Sequence, residues 1–214
     1  MNKYLYFLVF AFSFWACEDS DDCPSTFQVP AEIIPNKSQF KVGETLTIRS
    51  VFSKNIQELR LKKYYNFENV PMSFASKIFR LDTIGAPGIS IVGQNILYLK
   101  SQPGAYILKI GTPEQSTLTG NYLFSSDSFY VDLKLLPVSK GIYFLDFRIA
   151  NFYDRFPGQC NLNKEQFWST NMNKNAKNNV DFLRLSIDPY YSEYIVKDTI
   201  NFFHKNGGFC FKVE

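Results

Sequence analysis

Apolar and polar residues alternate with a period of two over much of the chain, the repeat of a strand that buries one face. Val42, Leu46, Ile48 and Phe52 fall on one side, with Thr45, Thr47 and Arg49 on the other. Leu59 and Leu61 alternate with Arg60 and Lys62, and a compact apolar run follows at Ile96-Leu97-Tyr98-Leu99. Tyr106, Leu108 and Ile110 share a face, as do Phe129, Val131, Leu133 and Leu135 opposite Tyr130, Asp132 and Lys134. The most regular segment is Tyr143, Leu145, Phe147 and Ile149. Leu183, Leu185 and Ile187 suggest a further strand, and Phe209, Phe211 and Val213 a last one, with Cys210 and Lys212 turned away from them.

Pro-Gly pairs at 87-88 and 103-104 and Lys140-Gly141 punctuate these runs as turns. No long amphipathic helix lies between them to carry a parallel crossover, so the pattern predicts a mainly β fold, an antiparallel β-sandwich. Asn66 to Ser76 reads as looser chain, and the Asn- and Lys-rich stretch from Asn171 to Asn179 as an exposed loop or long turn. Asp198 is placed to cap a short helix through Asn206, with Ile200 and Phe203 inward and Gly207 in the left-handed position that ends it. Val42-Gly43-Glu44-Thr45 resembles the start of a strand common in immunoglobulin-like bacterial domains. An immunoglobulin-like sandwich with one short helix near the C-terminus is the architecture expected.

The N-terminal segment has a different pattern. Lys3 precedes an almost unbroken apolar run from Tyr4 to Ala16, the layout of a secretory signal. That run is too short to span a bilayer comfortably, since ~1.5 Å per residue carries it about 20 Å against a hydrocarbon core of about 30 Å. Phe14-Trp15-Ala16-Cys17 resembles a lipobox, with Trp15 in place of the usual small residue. The resemblance implies cleavage before Cys17 and lipid on that cysteine. Glu18-Asp19-Ser20-Asp21-Asp22 then looks like the surface-export signal of Bacteroidetes outer-membrane lipoproteins, which makes Glu18, Asp19, Asp21 and Asp22 its export residues. A solvated, charge-repelled tether is the alternative. The expected organisation is a signal over residues 1–16, a lipidated acidic and Pro-rich tether over 17–35, and a sandwich body over 36–214. A sub-boundary near 150 is left open.

Composition narrows the partners. The 23 Lys+Arg nearly balance the 20 Asp+Glu, and no basic run exceeds Lys62-Lys63, so nucleic acid is not expected. Aromatics make up 17% of the chain, which suits strands. If Cys17 carries lipid, Cys23, Cys160 and Cys210 remain in an oxidising compartment, where three pairings are open. Cys160 with Cys210 is favoured, because Cys23 sits in the tether before Pro24.

Catalytic chemistry is poorly represented, and neither a catalytic residue nor a cofactor is predicted. The chain has one histidine, His204, flanked by Phe203 and Lys205, which reads as a helix residue. No cysteine pair has zinc-ligand spacing, and the consecutive acids at 18–22 lack the spacing and glycine of a calcium loop. Phosphate-loop, nucleophile-elbow and dinucleotide motifs are missing. Asp146, Asp181 and Asp188 are the acids that a paired-carboxylate hydrolase would have to bring together. Asp132 reads as part of a solvated strand face.

Binding has more support. Tyr64-Tyr65 with Phe67, Phe167-Trp168, and Tyr190-Tyr191 with Tyr194 are aromatic clusters. In a chain this aromatic most such rings pack in the core, but exposed ones stack on sugars or anchor protein partners. Trp168, Tyr190 and Tyr191 are the candidate ligand residues, Trp168 first because it adjoins the polar Asn-rich stretch. The sequence therefore predicts a non-catalytic binding or accessory lipoprotein, lipid-anchored at the outer membrane and facing the cell surface, with a glycan or an envelope protein as partner. A periplasm-facing structural lipoprotein and an envelope polysaccharide hydrolase are the competing expectations.

Overall fold

The computed structural model describes residues 23–84, 90–91, 95–99, 106–110, 115–150 and 167–214. Cys17, the acidic run 18–22, the Pro-Gly turns and Cys160 lie outside these residues. In chain order the described strands are β1 (Thr26–Ile34), β2 (Gln39–Phe40), β3 (Leu46–Ser53), β4 (Asn55–Gln57), β5 (Tyr64–Asn66), β6 (Ser73–Arg80), β7 (Ser90–Ile91), β8 (Ile96–Leu99), β9 (Tyr106–Ile110), β10 (Gln115–Asn121), β11 (Leu123–Ser125), β12 (Ser128–Pro137), β13 (Gly141–Ile149), β14 (Phe167–Met172) and β15 (Phe209–Val213). The first sheet runs β11-β12-β3-β1-β14 with β8 also on β12, and the second runs β2-β15-β13-β6-β10-β7 with β9 also on β10. Most pairs are antiparallel, but β14 on β1, β7 on β10 and β2 on β15 are parallel.

The period-two pattern fills the space between the sheets. Leu46 and Ile48 of β3 and Val131, Leu133 and Leu135 of β12 face Phe74 and Ile78 of β6, Leu145 and Phe147 of β13, and Phe209 and Phe211 of β15 in one core. Tyr122 spans the layers, its hydroxyl donating to Ser50 Oγ at 3.1 Å, and Ser50 donates in turn to the Pro30 carbonyl at 2.6 Å. Tyr143 donates back to the Ser139 carbonyl at 2.8 Å, a corner of the kind found in immunoglobulin-like sandwiches. The Val-Gly-Glu-Thr turn has its own reasons: Gly43 sits at φ +81°, and Glu44 accepts from the Lys41 N–H at 3.0 Å.

Several expectations need correction. The fold begins before residue 36, because β1 is an interior strand of the first sheet whose Phe27, Val29, Ala31 and Ile33 are buried. Pro30 does not break it: the ladder with β3 is confined to Glu32–Ile34, and Ser50 Oγ serves the Pro30 carbonyl instead. No boundary near 150 divides the body, since β14 and β15 give one strand to each sheet. Residues 73–80 form β6, not loose chain. Around 59–62 the chain turns, with Lys62 left-handed and Glu58 accepting from the Leu61 N–H.

The segment expected as a strand at 183–187 is a 3-10 helix, Val180–Leu185, which buries Leu183 and exposes Leu185 and Ile187. It joins two short π-type helical segments, Tyr190–Ile195 and Ile200–His204. Together they cap the outer face of the second sheet, where Leu183, Tyr191, Ile195 and Phe203 pack on Phe79, Phe144 and Cys210. Asp198 accepts from the Asn201 N–H at 3.1 Å and Gly207 is left-handed at φ +63°, as the sequence suggests, but Ile200 points outward. The Asn-rich stretch is structural: Asn173 Oδ1 accepts from the Ile33 N–H, and Asn178 and Asn179 donate to the carbonyls of Met172 and Cys210.

Candidate functional site

Along the second sheet the outer face changes character. Phe79, Phe144 and Cys210 lie side by side across β6, β13 and β15, and the helical cap covers them. Two residues further along β13 the outward positions become Asp146 and Arg148, opposite Lys77 and Ala75 of β6, and β10 adds Thr117 and Thr119. Here a cavity of about 580 Å³ opens over the sheet, within the range of small-ligand sites. Its wall is Phe167 and Trp168, from the start of β14. They reach this corner because Asn206 bridges the sheets: its carbonyl accepts from the Phe147 N–H at 3.1 Å, and it pairs with Thr170.

Asp146 is buried, its side chain 3% exposed, while Arg148 is 52% exposed. Two residues apart on a strand, they share a face. Arg148 Nε donates to Asp146 Oδ1 at 2.7 Å and to Oδ2 at 2.8 Å, and Nη2 also donates to Oδ2. Burial pushes the Asp146 carboxyl above its ordinary range, against the pull of Arg148 and the charge of Lys77. Burial also works against the charge of Arg148, but the Asp146 carboxylate and, beside it, Tyr190 hold the guanidinium above its usual value.

The candidate ligand residues part company. Trp168 lines the cavity, with its ring stacked on Phe27 at 4.7 Å and 21° and set edge-on to Phe67. Tyr190 does not line the cavity, although it acts electrostatically on Arg148, and it stacks on Tyr194 at 5.4 Å. Tyr191 is not available to a ligand: it is 4% exposed and packs on Phe79 and Phe144. Of the three acids a hydrolase would need, only Asp146 lines the cavity; Asp181 is exposed, and Asp188 accepts from the Tyr190 N–H at the start of its helix. Asp132 lies on the outer face of the first sheet, paired with Arg49 at 2.8 Å. Burial lowers the His204 pKa, and its ring lies edge-on to Phe203.

The pairing of Cys160 with Cys210 is overturned. Cys210 is a free thiol under the helical cap, its pKa raised well above the usual value by burial, and Cys23 is disulfide-bonded. The alternation that turns Cys210 away from the core does not carry it to the surface, because the cap supplies a second apolar layer. Lys77, Arg148, Thr117 and Thr119 went unnoticed in the sequence. The one local sign was Asp146-x-Arg148 on the outward side of an otherwise apolar strand.

No protein-family model matches the chain, and no curated protein matches it. Solved structures resemble its sandwich distantly. The human F-spondin reeler domain is similar over 60% of this chain and 78% of its own, with 7% identity and a TM-score of 0.35. A type II cohesin domain from the cellulosome of Acetivibrio cellulolyticus is similar over 61% of this chain and 81% of its own, with 12% identity and a TM-score of 0.29. The type II cohesin dyad of the ScaA scaffoldin of the same organism covers 68% of this chain and 46% of its own, with 12% identity and a TM-score of 0.30. The class of protein defined here is a mainly antiparallel, immunoglobulin-like β-sandwich with a helical cap on one face.

Proposed function

We propose that the protein is a lipid-anchored, non-catalytic glycan-binding module of the outer-membrane surface, with its site in the cavity between Trp168 and the Asp146–Arg148 pair. The observation that carries this is the chemistry of the cavity: an aromatic wall faces hydroxyl and charged side chains, and the lone carboxylate is already held by Arg148. Sugar rings present apolar faces and polar rims that such a surface matches. The lipobox-like Phe14-Trp15-Ala16-Cys17 and the acidic run after it support the anchor and the surface address. Fully extended at ~3.3–3.6 Å per residue, the chain from Cys17 to Cys23 reaches only about 20 Å, so lipid on Cys17 keeps the body against the membrane. Among the described residues no helix is long and apolar enough to cross a membrane.

Screening the full chain against a glycan array tests the site. Phe167→Ala changes an exposed wall residue at little cost to stability and is expected to weaken whatever the native chain retains. Unaltered retention by that variant places the ligand elsewhere. Palmitate-analogue labelling that survives in Cys17→Ala removes the anchor. Protease shaving of intact cells decides the surface address, with native protein expected to be digested and a variant with Glu18, Asp19, Asp21 and Asp22 changed to Ala protected. A protein partner is the second reading, favoured by Leu185, Ile187, Tyr194 and Ile200, which the cap leaves 49% to 63% exposed.

A further inference from the structure

The orientation of Arg148 says more about the ligand. Asp146 takes the hydrogens on the Nε and Nη2 side of the guanidinium. The end of the fork, Nη1 and the second Nη2 hydrogen, has no hydrogen-bond partner among the described residues. It belongs to a side chain half exposed in a cavity, next to Lys77. Counting the charges that line the site, Lys77 and Arg148 against Asp146, one positive charge is left over. A buried carboxylate that fixes an arginine also removes much of the entropic cost of presenting it to a ligand.

We infer that the cavity takes an acidic sugar, a hexuronate residue of a polysaccharide. The planar carboxylate meets the end of the Arg148 fork and the Lys77 ammonium, with the pyranose face against Trp168 and Phe167. A carboxylate matches the two-pronged guanidinium end in plane and in spacing. Asp146 is here a positioning residue. Thr117 offers a hydroxyl to the ring. The inference rests on the glycan reading and sharpens it from sugars in general to uronates.

Affinity electrophoresis of the full chain in gels containing polygalacturonate, its methyl ester, neutral galactan or dextran sulfate tests it. Retardation by polygalacturonate alone is expected. Lys77→Gln should weaken it by about tenfold, on the scale of one charge-assisted contact. Lys134→Gln, which removes the same charge from the outer face of the other sheet, should leave it unchanged. Arg148→Gln strands a buried carboxylate, so Lys77→Gln carries the test whether or not the Arg148 variant folds. Equal retardation by galactan and polygalacturonate overturns the uronate assignment and leaves the glycan reading standing. Retardation by dextran sulfate but not polygalacturonate overturns the carboxylate chemistry, and equal loss in Lys77→Gln and Lys134→Gln reduces the effect to net charge. No retardation in any gel by folded protein overturns the uronate assignment, and the glycan reading falls with it only if the same protein is also not retained on the glycan array.

Discussion

The indole of Trp168 lies 4.7 Å from the ring of Phe27, the two planes 21° apart, so the residue that walls the cavity also closes the end of the core. Its two roles separate by substitution. Trp168→Ala removes the stack on Phe27 and the edge contact with Phe67 and should cost about 3 kcal/mol, the low end for a large aromatic truncated to Ala. Trp168→Phe keeps a ring against Phe27 and should cost about 1 kcal/mol while still weakening glycan retention. Urea denaturation of both variants checks the ranking. Equal stability losses would mean that the Phe27 contact contributes little.

Gly207 ends the helical cap at φ +63°, where an added Cβ would stand 2.2 Å from the Phe147 carbonyl oxygen and 3.0 Å from Thr170. Gly43 is also left-handed, at φ +81°, but a Cβ there meets nothing within 4 Å. Gly43→Ala should therefore cost only the conformational penalty, about 1 kcal/mol. Gly207→Ala adds a backbone clash at the point where the sheets join, and more than about 3 kcal/mol is expected. The comparison isolates the clash from the dihedral, and similar denaturation midpoints for the two variants would contradict it.

Glu58 gives the start of β1 a pH dependence. Its side chain is buried, which raises the carboxyl pKa, but the N–H groups of Leu61, Thr26 and Ser25 and the charge of Arg60 outweigh that and hold it below the ordinary glutamate value. A carboxyl whose folded pKa is lowered contributes stability above its unfolded pKa and loses it as pH falls through the folded value. Glu58→Gln should thus destabilise the protein more at pH 7 than at pH 3, by denaturant midpoint. A constant difference between the two pH values would show that the charged form is not what holds β1.

Much of the fold can be read from β12 and β13, whose alternation carries straight into the core, and from Phe209, Phe211 and Val213 of β15. The errors have separate physical origins. Period two says which residues point together but not what covers the other face, so Cys210 reads as turned away from the core although the cap buries it, together with Phe144. Three prolines made the start look like linker, yet β1 carries the same alternation at Phe27, Val29, Ala31 and Ile33. The cap misled in the opposite sense: Leu183, Leu185 and Ile187 alternate, but only Leu183 reaches the second sheet. At the site, Trp168 was legible as an aromatic beside polar chain. Lys77, Thr117 and Thr119 were not, because strands distant in sequence bring them to Arg148.

The cysteines give the last expectation and bear on the anchor itself. Burial under Tyr191, Ile195 and Phe203 shields the Cys210 thiol and disfavours its thiolate, the form that reacts. It should resist alkylation in the native protein and react once the chain is unfolded. Cys23 is disulfide-bonded and Cys210 is free. If Cys17 carries lipid through its sulfur, Cys160 is the one partner left for Cys23. Peptide mapping of membrane-extracted protein without reduction should therefore find Cys23 linked to Cys160. A fragment joining Cys23 to Cys17 would mean that the Cys17 sulfur carries no lipid, and the anchor proposal would fall with it.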